Sequence, residues 1–283
     1  MAKIKVIKSG LYTSIQDLGR FGYRRYGVPV SGAMDQASAR LANLLVNNPD
    51  HEAVIEITLQ GPQLLFSDTA IIALTGADLS PSIDNQIVSM NQAILVDANH
   101  VLKFGAPKLG CRSYLSIMGG IKSEKALGSQ SQYRSITEKS RLENGDVISI
   151  NALATTSTPT SKVKRDTLLY SDNLLSVMPG PEFDLIDQRT RDLILSSRWS
   201  IGPNNRMGYQ LLSENIPEHD MEITTSQVVP GTIQLTPSGK LMALMRDAQV
   251  TGGYPRILQL EKGSIDKLSQ KTDQQQVQFK LVR

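Results

Sequence analysis

The chain has 283 residues, 40% of them hydrophobic, which is too long for one average domain and enough to fill two ordinary cores. Its 30 basic and 27 acidic residues are mixed along the sequence and leave a formal charge of +3, so no concentrated field exists to hold nucleic acid or an anionic membrane. The longest apolar stretches, 70–74 and 93–96, fall far short of the roughly 20 residues that span a bilayer.

Met1–Ser9 alternates Lys with Ile and Val and lacks the apolar core and cleavage site of a secretory signal. With Cys111 as the single cysteine no intrachain disulfide forms, and a reducing, cytoplasmic setting is expected.

Short β-branched runs bounded by Gly, Pro, Asn or Asp then recur. In the first half they are Ile4–Ile7, Ala53–Leu59, Ala70–Thr75, Gln92–Asp97, Val101–Phe104, Tyr114–Met118 and Val147–Ile150. Within this series Met34–Asn47 breaks to a helical period, with Ala37, Leu41, Leu44 and Leu45 on one stripe and Asp35 near its start. From 152 to 166 the chain is rich in Thr and Ser, contains Pro159 and has no apolar period, which places a linker at 156–166 between domains at 1–155 and 167–283.

The second half reads Leu174–Met178, then a helix over Glu182–Ser197 with Phe183, Ile186, Thr190, Leu193 and Ile194 as its buried stripe. Strands at Met221–Ser226, Thr232–Thr236 and Leu241–Met245 follow. The whole is mainly β, with barrel or sandwich spacing in both halves and one main helix in each.

Several chemistries find no support. His51, His100 and His219 are scattered, with no Cys or paired carboxylates at ligand spacing, so no metal site is expected. No Gly-x-Ser-x-Gly elbow occurs, and Cys111 in an apolar strand is read as packing. The nearest approach to a phosphate loop, Thr236–Leu241, lacks both the upstream Gly and the following Ser or Thr, and is read as a hairpin turn.

What the sequence does offer is Gly beside polar side chains, in four places. Gln16–Arg20 leads through Gly27 to Val28-Pro29-Val30-Ser31-Gly32-Ala33-Met34-Asp35, just before the first helix. Ser31 or Asp35 serves there either as a cap or as part of an oxygen-binding helix start. The second is Gly110-Cys111-Arg112-Ser113-Tyr114, where Arg112 enters a strand and is either an ion-pair partner or an anion clamp. The others are Asn204–Tyr209 and Asp247–Pro255, the latter with Gly252 and Gly253. Together they supply amide, guanidinium, carboxylate, phenol and bare backbone, the groups that grip a small planar amide.

By residue type, Asp247, Arg206 and Arg112 are the candidates for catalysis, and Ser31, Asp35, Tyr114, Asn205, Gln249, Gly252, Gly253 and Tyr254 for substrate binding. Arg112, Arg206 or the Gly252–Gly253 backbone would steady a developing oxyanion, and Asp247 would orient water or take a proton. Asp35, Arg112, Asn205, Arg206, Asp247, Gln249 and Tyr254 are expected to share one pocket.

The strings Gln16–Arg20, Gly27–Asp35, Glu56–Pro62, Gly110–Tyr114, Leu127–Ser131, Asn205–Gly208 and Asp247–Pro255, in this order, resemble the biotin-dependent carboxyltransferase-like family. That family also takes in the KipI antagonists, allophanate hydrolase subunit 2 and the C subunits of bacterial 5-oxoprolinases. The resemblance implies two tandem cyclophilin-like β-barrels. It implies a subunit of an ATP-dependent enzyme that opens 5-oxoproline to glutamate, with KipI-like (B) and LamB/YcsF-like (A) subunits as partners and ATP bound by or with one of them. Two alternatives stay open: a carboxyltransferase component acting on urea or a related amide, the one case that calls for biotin, and a regulator that binds a KipI-like kinase inhibitor. The chain holds no Ala-Met-Lys-Met biotinylation site.

Overall fold

A computed structural model describes residues 2–153, 157–164, 168–214 and 216–282; of the expected linker, residues 156, 165 and 166 fall outside them. The chain divides into two compact units, Met1–Arg20 with Ser31–Asp166, and Phe21–Val30 with Thr167–Arg283. Most of the expected linker therefore groups with the first unit, and a ten-residue stretch near the N-terminus groups with the second.

The first unit is built from two sheets. Strands Ile121–Lys122, Val147–Ile150, Ala2–Lys8, Gln63–Phe66, Val101–Lys103, Ser82–Ile83 and Gln86–Ile87 lie in that order in one; Tyr12–Gln16, Val54–Thr58, Leu109–Ile117, Ala70–Asp78 and Ala93–Val96 form the other. Ile4, Val6, Ile55, Ile57, Leu64, Phe66, Ile72, Leu74 and Leu115, all buried, make one contiguous core. Residues of opposite parity on the second sheet, Val54, Ile71, Ala73 and Tyr114, pack instead with Ala39, Ala42, Leu45 and Val46 of the helix region. A sheet covered on both faces needs unbroken apolar strands, which is why Ala70–Ala77 reads Ala-Ile-Ile-Ala-Leu-Thr-Gly-Ala and is buried throughout.

The helix spans Gln36–Leu45, and Asp35 is its N-cap, accepting from Ser38 N at 2.9 Å. Its buried residues are Gln36, Ser38, Ala39, Ala42, Asn43 and Leu45. Leu44, expected on the inner stripe, is 58% exposed. Small residues are what the close approach to the sheet admits, and Asn43 is satisfied there: its Nδ2 donates to Glu52 O at 2.7 Å and its Oδ1 accepts from Ser116 Oγ.

In the second unit the strands close completely, in the order Leu174–Pro179, Arg256–Leu260, Thr232–Leu235, Leu241–Leu244, Gly208–Leu212, Trp199–Asn204 and Gln276–Leu281, the last pairing back in parallel with the first. Closure leaves no free sheet edge. Gln188–Ser196 is the helix expected here, with Asp187 as N-cap and a short 3₁₀ turn, Phe183–Leu185, ahead of it. Trp199, wholly buried, ties it to the barrel through Nε1 donating to Ile194 O at 3.1 Å.

A further helix, Lys262–Ser269, has no counterpart among the elements expected from sequence. Of the strand expected at Met221–Ser226 only Ser226 pairs, in the two-residue strand Ser226–Gln227. Among the described residues no helix is long and apolar enough to cross a membrane.

Candidate functional site

The expected site residues fall into two sets, one in each unit. In the first unit Glu56 and Tyr114 stand opposite each other on paired strands, both wholly buried and on the face turned to the helix. Glu56 Oε2 accepts from Met34 N at 2.7 Å and from the Tyr114 hydroxyl at 3.0 Å, and the same hydroxyl accepts from Asp35 N at 2.8 Å. Two strands thereby fix the start of the helix through its own backbone. Burial, reinforced by the neighbouring Glu56 and Asp35 charges, pushes the Tyr114 phenol well above its ordinary pKa, so it remains a neutral donor.

Arg112 is buried on the same strand as Tyr114, with Nη1 3.2 Å from Cys111 Sγ. Burial raises the Cys111 thiol despite that guanidinium, so the thiol stays protonated and a poor nucleophile. Ser31 is wholly buried with φ 56°, and its Oγ finds no hydrogen-bond partner among the described residues. Gly32 follows at φ 93°, where a Cβ would lie 2.8 Å from Gly19 N and Leu18 C, so only glycine lets these backbones approach.

Two of the quoted strings meet nearby. Asp17 Oδ1 accepts from Ser129 Oγ, Ser131 Oγ and Gly19 N, its Oδ2 from Gln130 N, and Arg20 donates to the carbonyls of Ala126 and Ser131. These polar residues brace loops against one another.

The second unit carries a cavity of about 510 Å³, a volume suited to a small ligand. Five carboxamides line it, Asn204, Asn205, Gln210, Gln234 and Gln249, together with Thr236 and Tyr254 and the apolar Met207, Met242 and Leu244. No charged side chain is among its described lining residues. Gln234 and Leu244 are 2% exposed and form its floor, whereas Asn205, Gln249 and the half-exposed Tyr254 stand at the rim.

The hairpin turn that bears Asn205 is self-built: Asn205 Oδ1 accepts from Met207 N at 2.7 Å and Gly208 N at 3.2 Å, and Asn205 N donates to Gly208 O. Its Nδ2 makes no hydrogen bond among the described residues. Gly252 and Gly253, also in the lining, lie on the facing loop.

Arg206 and Asp247, expected as catalytic groups, grip each other instead. Arg206 Nε meets Asp247 Oδ2 at 2.7 Å and Nη2 meets Oδ1 at 3.0 Å, with each side chain 8% exposed. Asp247 N also donates to Arg206 O at 2.9 Å. The pair lies outside the cavity lining and clamps the two loops that form it. Asn205, Gln249, Gly252, Gly253 and Tyr254 share the cavity, while Ser31, Asp35, Arg112 and Tyr114 belong to the first unit.

Glu56 and Gln234 were not singled out from sequence. The available signal was a polar residue inside a run otherwise apolar, Val54-Ile55-Glu56-Ile57 in one case and Thr232-Ile233-Gln234-Leu235 in the other.

The lining does not fit a triphosphate, since its described residues offer no Lys or Arg. The one Gly-Lys stretch closes as a turn, Gly239 N donating to Thr236 O and Thr236 N to Lys240 O.

A mainly β protein with a closed barrel and an uncharged, carboxamide-lined cavity is one equipped to hold a small polar molecule. The chain belongs to the carboxyltransferase domain family, subdomains A and B, whose profile matches residues 26–281. It is 34% identical over 273 residues to the 5-oxoprolinase C subunit of Escherichia coli K12, covering 94% of this chain and 87% of that protein. Among solved structures, TTHA0988 superposes with a TM-score of 0.91 at 26% identity, over 99% of this chain and 56% of that one. The Kluyveromyces lactis urea carboxylase does so with a TM-score of 0.86 at 29% identity, over 98% of this chain and 27% of that one.

Proposed function

We propose that the chain is a subunit of an ATP-dependent 5-oxoprolinase, with the barrel cavity holding the lactam that is opened to glutamate. The observation that carries this reading is the lining: carboxamides with no charge offer both donors and acceptors to an amide edge at little desolvation cost. With no cation in the lining to meet it, the substrate's own carboxylate stays in water at the mouth. The reaction adds the oxygen of water to the acyl carbon and breaks the ring C–N bond, the nitrogen taking up the proton. The residues here contribute binding and orientation, and in this reading Asn205 Nδ2 donates to the lactam oxygen as charge develops on it.

In this reading ATP is held by a partner subunit, and the partners are KipI-like and LamB/YcsF-like chains. The similarity to urea carboxylase favours a second reading, in which the same cavity takes urea and a biotin carrier on another chain brings the carboxyl group. Reconstitution separates the two. The chain alone should be inactive, and adding both partner subunits should give ATP-dependent release of glutamate from 5-oxoproline. Turnover by the chain alone, or biotin-dependent carboxylation of urea by an assembly that leaves 5-oxoproline untouched, would overturn the proposal.

A further inference from the structure

Gln234 has an arrangement that the general reading does not use. Its strand, Thr232–Leu235, is buried at every position, yet this one side chain is a carboxamide on the cavity floor, 2% exposed. Nε2 donates to the Tyr254 carbonyl at 3.0 Å. A carbonyl oxygen only accepts, so this bond fixes which way the amide points. The oxygen, Oε1, makes no hydrogen bond among the described residues.

Gly252 approaches the same amide closely. A Cβ placed on it would come 2.6 Å from Gln234 Nε2, so an alanine there would push the end of the carboxamide aside. Its cross-strand neighbour Met242 and the buried Leu244 are apolar, while Gln210 and Thr236 also line the cavity. The floor therefore presents Oε1 as an acceptor of fixed orientation beside apolar side chains.

We propose that Gln234 is the specificity-determining residue of this cavity, its Oε1 accepting the N–H of a bound amide. This rests on the reading of the cavity as an amide site and deepens it. The preferred ligand class is a small amide or lactam that keeps an N–H, discriminated from the ester or lactone of the same shape. A buried acceptor left unpaired by the wrong ligand loses its bond to water without compensation, and a site built around one hydrogen bond rejects such isosteres strongly.

The probes are 2-pyrrolidinone and γ-butyrolactone, which differ in the N–H and share ring size and carbonyl. With methyl-labelled methionine in the full chain, the Met207 and Met242 methyls that line the cavity report binding by NMR titration. The lactam should bind about tenfold or more tighter than the lactone. Gln234→Leu should bring the lactam down to the lactone's affinity, and Gly252→Ala, which crowds Nε2 from the neighbouring loop, should erode the preference independently should the leucine variant fail to fold. Equal binding of the two rings by the parent chain, or an undiminished preference in the variants, overturns the role of Gln234 and leaves the cavity an amide site. Absence of any methyl shift with either ring overturns both.

Discussion

If Arg206 and Asp247 are a clamp, removing one partner should destabilise the barrel rather than only slow a reaction. Each side chain is 8% exposed and the two meet through two bonds of 2.7 and 3.0 Å, so Arg206→Ala leaves a carboxylate buried without its counter-charge. Breaking such a pair from one side costs about 3–5 kcal/mol. For a unit of this size that is about 4 °C per kcal/mol, giving a fall of about 12–20 °C in the melting transition of the second unit. Replacing both residues by apolar groups, Arg206→Met with Asp247→Leu, removes the stranded charge and should recover most of the loss. Scanning calorimetry of the parent, Arg206→Ala and the double variant makes the comparison. The double variant, once folded, should bind 2-pyrrolidinone as the parent does, because neither residue lines the cavity. A melting shift below about 3 °C for Arg206→Ala, measured against that same scale, or a double variant as unstable as the single one, would refute the clamp.

Two further outcomes test the framework. Tyr114→Phe removes the hydroxyl that accepts from the buried Asp35 N–H and donates to Glu56; urea denaturation should show a loss of about 1–3 kcal/mol, and an unchanged midpoint would show that the phenol does not hold the helix start. The Arg256 guanidinium holds the buried Glu182 carboxyl below its usual range, so its contribution is present above the unfolded glutamate pKa and lost as pH falls through the depressed folded value. The stability gap between the parent and Glu182→Gln should therefore be constant near neutrality and narrow as pH falls below about 4, and a gap that stays constant to pH 3 would contradict the pairing.

Where an element owes its existence to a local pattern, the sequence shows it. Ala70–Ala77 is an almost unbroken apolar run and Val54–Thr58 a β-branched one, both read as strands, and Asp35 stands at the start of its helix, which it caps. Long-range demands are less visible. The helix buries Ala39 and Ala42 rather than Leu44 because the sheet beneath approaches closely, and nothing within Gln36–Leu45 records that distance. Lys262–Ser269 has buried serines and Asp266 among few large apolar residues, so its period is masked. At the cavity the loops of Asn205 and Gly252 were legible through their turn chemistry. The fate of Arg206 and Asp247 was not, since a guanidinium and a carboxylate 41 residues apart read alike whether they face a substrate or one another. Gln234 was hidden for a related reason: its value comes from the Tyr254 carbonyl that turns it.

The stretch Phe21–Val30 groups with a unit whose remaining residues begin at Thr167, while its flanks, Arg20 and Ser31, group with the other. Arg24 donates from this stretch to the carbonyls of Val228 and Val250. The polypeptide thus passes between the units three times, and no single cut yields two whole pieces. A fragment ending at 166 would carry ten residues with nowhere to dock, and one starting at 167 would leave two barrel-loop carbonyls without their guanidinium. On the ribosome the same wiring imposes an order: residues 21–30 emerge early but must wait for the carbonyls of Val228 and Val250 until some two hundred further residues have been made.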